Sequence, residues 1–170
     1  MPRDTYVADR CSEINTLIEY AAEKSDSDPG VGAYLAGYIS VLISGVVEDC
    51  VEHLVVERAR MSNDQQLQEF VRLSIDRQFR NPRSSDIAEV LAWFSSAYRD
   101  SYNRSVNRQA REALGSIVSN RMSLAHKGTP QLALTVSDVR GYFAHVVEIL
   151  EVVEGILIYG NSSPQVDPQS

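Results

Sequence analysis

The stretch TVSDVRGYFAHVVEILEVVEGILIYG, residues 135–160, decides the fold class. Within it Val139, Phe143, Val146, Leu150, Val153 and Leu157 recur at spacings of three and four, the period of one helical face. Thr135 followed by Asp138 reads as a helix N-cap with an acidic residue one turn in. Apolar residues spread beyond that face, at Val147, Ile149, Val152, Ile156 and Ile158. Such a helix sits either at the centre of its own core or against a partner chain. The expectation is a central position, with a dimer contact as the alternative.

The same period runs upstream. A first helix is expected from about Thr5 to Lys24, with Val7, Cys11, Ile14, Ile18 and Ala21 on one face, and Ser-Asp-Ser-Asp-Pro-Gly (25–30) as a loop. A second, from about Val31 to Met61, carries Leu35, Ile39, Leu42, Val46, Cys50, Leu54 and Val55. Gly37 and Gly45 lie inside it, and their unfavourable helix propensity is expected to reflect close approach of another backbone. Asn63 is the expected cap of a third helix that ends near Gln78, because Pro82 disfavours helix at Asn81. Asp86 with Glu89 is read as the N-cap and third residue of a fourth helix, which packs Val90, Trp93, Phe94 and Ala97 and fades near Tyr102. A fifth, Ser105 to His126, ends at Lys127-Gly128, glycine being a good residue just past a helix end. Alternating strand patterns are nearly absent. The fold class is therefore all-α, a bundle of about six helices forming one domain over residues 1–160, with residues 161–170 as a disordered tail.

A chain of 170 residues with 44% hydrophobic and 23% charged residues suits one soluble domain with a real core. The start is polar and no unbroken run of eighteen apolar residues occurs, so the expectation is a cytoplasmic protein with no membrane partner. Cys11 and Cys50 fall in apolar-periodic segments and read as buried small hydrophobes. Two Cys and three scattered His are too few for a metal site, so no metal and no cofactor is expected.

The net charge of −7 argues against a protein that coats nucleic acid indiscriminately. Its distribution is uneven. Residues 72–111 hold eight Arg against four acids, a net of +4, which leaves −11 elsewhere. Fourteen of the sixteen basic residues are Arg, whose planar fork suits phosphate or carboxylate better than the Lys ammonium does.

One constellation could do chemistry. Asn120-Arg121-Met122-Ser123-Leu124-Ala125-His126-Lys127-Gly128 ends a helix with a guanidinium and an imidazole five residues apart. Imidazole takes or gives a proton near neutral pH, and a guanidinium stabilises the charge that develops on an attacked phosphate. The spacing alone selects nothing, because Arg140 and His145 match it equally well. The context does. The Arg-x4-His pattern lies at a helix end, before a short loop and a Thr-x-x-Asp helix start. Upstream stand Asn81-Pro82, then Asp86-Ile87-x-Glu89-Val90-Leu91-x-x-Phe94, and earlier an acid within an apolar helix, Glu48 in Val46-Val47-Glu48-Asp49-Cys50.

This ordered set, over about residues 35–158, resembles the HEPN superfamily (higher eukaryotes and prokaryotes nucleotide-binding), in particular its RiboL-PSP type. The resemblance implies a metal-independent endoribonuclease of toxin or antiviral-defence type, with Arg121 and His126 as the catalytic pair and Glu48 orienting the arginine. Where the family often places Asn, Asp or His after the motif arginine, this chain has Met122; Asn120 or Ser123 would then supply the polar contact. Arg72, Arg77, Arg80, Arg83 and Lys127 are candidate phosphate contacts. Five residues along an ideal helix turn about 500°, so the two motif side chains diverge by about 140°. Either the helix breaks near His126, or two chains meet and line one cleft, as the family resemblance implies. The expected partners are RNA and a second copy of the chain, with a cognate antitoxin or defence-operon partner possible. The alternatives are a catalytically inactive HEPN dimer that binds RNA, a nucleotide or a protein, and a plain helical interaction module.

Overall fold

The computed structural model describes residues 1–127 and 134–160; the expected disordered tail and Gly128 lie outside them. Among the described residues there are seven helices and no strand. They are α1 (Thr5–Ser27), α2 (Pro29–Arg60), α3 (Gln65–Gln78), α4 (Ser84–Ala92), α5 (Ser96–Ser105), α6 (Arg108–Lys127) and α7 (Val136–Leu157).

Helix α7 starts as its sequence predicts. The Thr135 hydroxyl accepts from the Asp138 N–H at 3.1 Å, and the Asp138 carboxylate accepts from the Thr135 N–H at 2.9 Å. Hydrogen bonds from the Thr135 hydroxyl and backbone hold the Asp138 carboxyl below its ordinary pKa. Val139, Phe143, Val146, Leu150, Val153 and Leu157 are all buried, and α7 packs on α1, α2, α5 and α6 of its own chain. Its far end anchors the N-terminus. The buried Glu154 carboxylate accepts from the backbone N–H groups of Arg3 at 2.9 Å and Asp4 at 2.6 Å, while Tyr159 donates to it at 3.3 Å.

Helix α2 shares the centre. It is long and apolar enough to cross a bilayer by length and composition, although no unbroken apolar run marks it in the sequence. Half of its most apolar stretch is buried inside the bundle, where α1, α3, α6 and α7 pack around it. Its core residues run from Ala36 and Ile39 to Leu54 and Val55, and the polar Ser40, Ser44 and Glu48 are buried among them.

Several local details differ from the sequence reading. The 25–30 segment is mostly helical, because Asp28 alone joins α1 to α2: its carboxylate accepts from Gly30 and Val31 N–H groups at 2.8 and 3.2 Å, and Pro29 takes the first helical position. The cap of α3 is Asp64 rather than Asn63. Asp86 is the third residue of α4, not its N-cap; it accepts from the Arg83 N–H at 2.7 Å. The expected fourth helix is two. Ser95 caps α5, and the break turns Trp93 and Ala97 outward, with Trp93 46% exposed. Trp93 instead lines an apolar surface cleft of about 640 Å³ with Leu67 and Phe70. Cys11 and Cys50 are buried free thiols, pushed by burial up to about 11 and about 12.

The glycines also reassign themselves. A Cβ on Gly37 would meet only Leu124, at 4.0 Å, and on Gly45 nothing within 4 Å. The close approach is at Gly32, where a Cβ would stand 2.9 Å from the Ser25 Cα. The two substitutions should therefore act in opposite directions in urea unfolding. Gly32→Ala should destabilise by about 1–3 kcal/mol through backbone crowding, whereas Gly45→Ala should stabilise by up to about 1 kcal/mol through helix propensity.

Candidate functional site

Helix α2 places a carboxylate in its own apolar stripe. Glu48 is 6% exposed, so it needs partners. Three come from outside α2. Arg80 donates through Nη1 to Oε1 at 2.9 Å, the Asn81 backbone N–H donates to Oε2 at 3.0 Å, and Arg121 donates through Nη1 to Oε2 at 3.3 Å. Arg121 Nη1 also reaches the buried Ser44 hydroxyl at 3.3 Å, one turn earlier on α2.

Local backbone chemistry delivers these groups. Phe79 is buried at the end of α3, and Pro82 is buried behind it. Between them Asn81 takes φ +50°, a left-handed conformation that Asn adopts more readily than most residues. That turn aims its N–H at Glu48. Arg80, more than half exposed, is steadied by the Asp76 carboxylate at 3.1 Å. One turn beyond Glu48 on α2, burial and the neighbouring Glu48 charge push the Glu52 carboxyl above its ordinary pKa.

Helix α6 is uninterrupted from Arg108 to Lys127, so no break separates Arg121 from His126. Arg121 turns inward, its side chain 29% exposed against α2. His126 is exposed at the helix end. One helix thus presents the pair on different sides, as its period requires. Arg121 also lines a cleft of about 310 Å³ with Arg10, Asp49 and Gly45. Its hydrogen bonds to Ser44 and Glu48 both use Nη1.

The second Arg-x4-His match is placed otherwise. Arg140 pairs with Glu19 at 2.9 Å, and His145 pairs with Glu148 at 3.1 Å, both at the surface. The third histidine, His53, stacks on Tyr6 and bonds the Asp4 carboxylate at 3.1 Å.

Of the other candidate residues, Asn120 is buried and Ser123 half-buried on α6, and Met122 is 43% exposed. Arg72 is engaged by Glu69 on α3 and Arg77 is exposed there; neither is among the partners of Glu48. Arg83 sits at the start of α4, and Lys127 is the last residue of α6. Sequence reasoning missed Ser44. It had one available signal, a polar residue one turn before Glu48 in an apolar run.

A family model, RiboL-PSP-HEPN, matches residues 5–159. No curated protein and no solved structure gives a match.

Removing the shared acceptor should matter more than removing one donor. Glu48→Ala is expected to destabilise by about 2–3 kcal/mol, since it strands the Asn81 N–H and the Arg121 guanidinium together. Arg80→Ala should cost clearly less, because its side chain is solvated and Glu48 keeps two donors. Paired urea titrations of the two variants measure the difference.

Proposed function

The chain belongs to the RiboL-PSP-HEPN family, and on that premise we propose that it is a metal-independent endoribonuclease whose chemistry rests on Arg121 and His126. The observation that carries the reading is the contrast between the two Arg-x4-His matches. Arg140 and His145 are each engaged by a different surface carboxylate, whereas Arg121 is held by the buried Glu48 and His126 stands exposed near the end of the same helix.

In this mechanism the imidazole accepts the proton of an RNA 2′-hydroxyl. The freed oxygen attacks the adjacent phosphorus, and the bond from phosphorus to the 5′-oxygen breaks. The products are a 2′,3′-cyclic phosphate and a 5′-hydroxyl: the leaving oxygen takes a proton from water as it departs, and the imidazolium returns its proton to solvent. Arg121 stabilises the non-bridging oxygens, where negative charge accumulates. Glu48 and Ser44 hold its guanidinium, so that little reorganisation is needed when the phosphate arrives.

Because α6 is unbroken, one chain does not aim both groups at one phosphorus. The site is therefore composed of two chains, with Arg121 of one copy and His126 of the other flanking the substrate. A symmetric dimer repeats that site twice. A catalytically inactive dimer that binds RNA is the second reading, and the exposed Met122 beside Arg121 favours it.

Purified protein should cleave single-stranded RNA in EDTA and leave cyclic phosphate ends. Arg121→Ala and His126→Ala should each lower the rate by at least about 10²-fold without loss of helical circular dichroism. Mixing the two dead variants is the sharper measurement. If the site spans two chains, subunit exchange should restore about a quarter of wild-type activity, one intact site in half of the dimers. A site within one chain would restore none. Retention of cleavage in both single variants would remove these residues from the chemistry.

A further inference from the structure

Helices α4, α5 and α6 enclose an open groove of about 820 Å³ that the chemistry above does not use. Arg83 from the start of α4, Arg99 and Asn103 from α5, and Arg111 and Ser119 from α6 line it. Arg111 is held by carbonyl oxygens, donating to Asn103 at 2.8 Å and Val106 at 3.2 Å, so its charge is fixed in place without a carboxylate partner among the described residues. Arg83 has no ion pair among the described residues, and Arg99 only its neighbour Asp100 at 3.6 Å. Two acids share the groove, Glu89 and Glu112, and Glu112 is engaged by Arg108 at 2.6 Å. The local balance is positive in a chain of net charge −7.

The groove also has a direction. Glu112, Ser119 and His126 are seven residues apart on α6, and seven residues return to within about 20° of the same line. Ser119 lines the groove, and His126 lies about 10 Å further along that face. Arg121 points the other way, into α2.

We propose that this groove is the track along which the backbone of single-stranded RNA runs to His126, an inference that rests on the nuclease reading. Three guanidiniums supplied by three helices match a chain of phosphates, and serine and asparagine side chains add neutral hydrogen bonds. Among the described residues no aromatic side chain lines the groove, so they offer no stacking platform and no base-edge code. Recognition here is of the backbone, indifferent to sequence.

Gly115 supplies a probe that does not touch charge. It lines the groove, and a Cβ there meets nothing within 4 Å. Gly115→Gln therefore fills the groove while favouring the helix.

The test uses the full chain and a fluorescent RNA whose 2′-hydroxyls are methylated, which binds without being cut. Anisotropy titrations run across a series of KCl concentrations. The Arg83→Gln/Arg99→Gln double variant should bind at least about tenfold more weakly at low salt, with the salt slope shallower by about 0.7 for each phosphate that is no longer neutralised. Gly115→Gln should also weaken binding, with a melting temperature no lower than wild type. Arg140→Gln removes a charge outside the groove and should leave binding unchanged. Binding within twofold of wild type in both groove variants overturns the track, as does failure of the wild type to bind. Cleavage of unmodified RNA separates the two readings. A cutting protein whose groove variants bind normally keeps the nuclease and rules out the track. Groove-dependent binding without cutting keeps the track and rules out the nuclease.

Discussion

A carboxylate buried in the middle of an apolar helix must be hydrogen-bonded, and Glu48 obtains its partners from three places. Two are the side chain and backbone of the α3–α4 connection, and the third is the guanidinium on α6. This requirement ties the left-handed turn at Asn81, the end of α3 and the depth of α6 against α2 to one acceptor pair. The neighbouring Glu52, pushed up by burial and by Glu48, illustrates the surplus of negative charge that the arginines offset. Replacing the set by hydrocarbon would satisfy the core equally well. The polar solution does something hydrocarbon does not, which is to hold one arginine in a defined place.

The second constraint is helical phase. A residue pair five apart on an unbroken helix is split between two faces, and α6 is unbroken through Lys127. Its inner face carries Arg121 to the Glu48 cluster; its outer face carries Ser119 and His126 past the arginine-lined groove. The same arithmetic that separates the motif residues within one chain thus aligns one of them with a basic surface. Under the proposed reading, substrate contact and phosphate stabilisation reside on opposite faces of α6, and only a second copy reunites them.

Much of this was legible in the sequence, for reasons that can be assigned. Helices α1, α2 and α7 carry long uninterrupted apolar periods, and the Thr135–Asp138 cap is a local hydrogen-bond motif, so both survive without tertiary knowledge. Glu48 was singled out through the family resemblance, as an acid within an apolar helix. What failed depended on neighbours. Trp93 and Phe94 continue the apparent stripe of α4, and only Ser95 signals the break. Asp86 has the chemistry of a cap, but it acts one turn later, on the backbone of an arginine that no propensity scale would place at the N-cap. Glycine in a helix announces a packing reason without naming which glycine has it; Gly32 does, and Gly37 and Gly45 do not. The groove joins residues from three helices whose charges look unremarkable one at a time.

The uneven charge gives the proposed function a physical logic. At physiological ionic strength fields are screened over about 8 Å, so an acidic exterior discourages RNA at most approaches and is weak only where arginines converge. Many arginines of the basic segment are already spoken for: Arg72 by Glu69, Arg80 by Glu48 and Asp76, Arg108 by Glu112. Those pairs take them out of the pool that would hold phosphate indiscriminately. Two of the three groove arginines differ, since Arg111 is fixed by carbonyls and Arg83 has no ion pair among the described residues, while Arg99 has Asp100 at 3.6 Å. Under the proposed reading, a chain built this way engages a polyanion along one path rather than over its whole surface. A nuclease with a sequence-indifferent groove depends on that restriction, because the entry path then supplies the selectivity that base contacts do not.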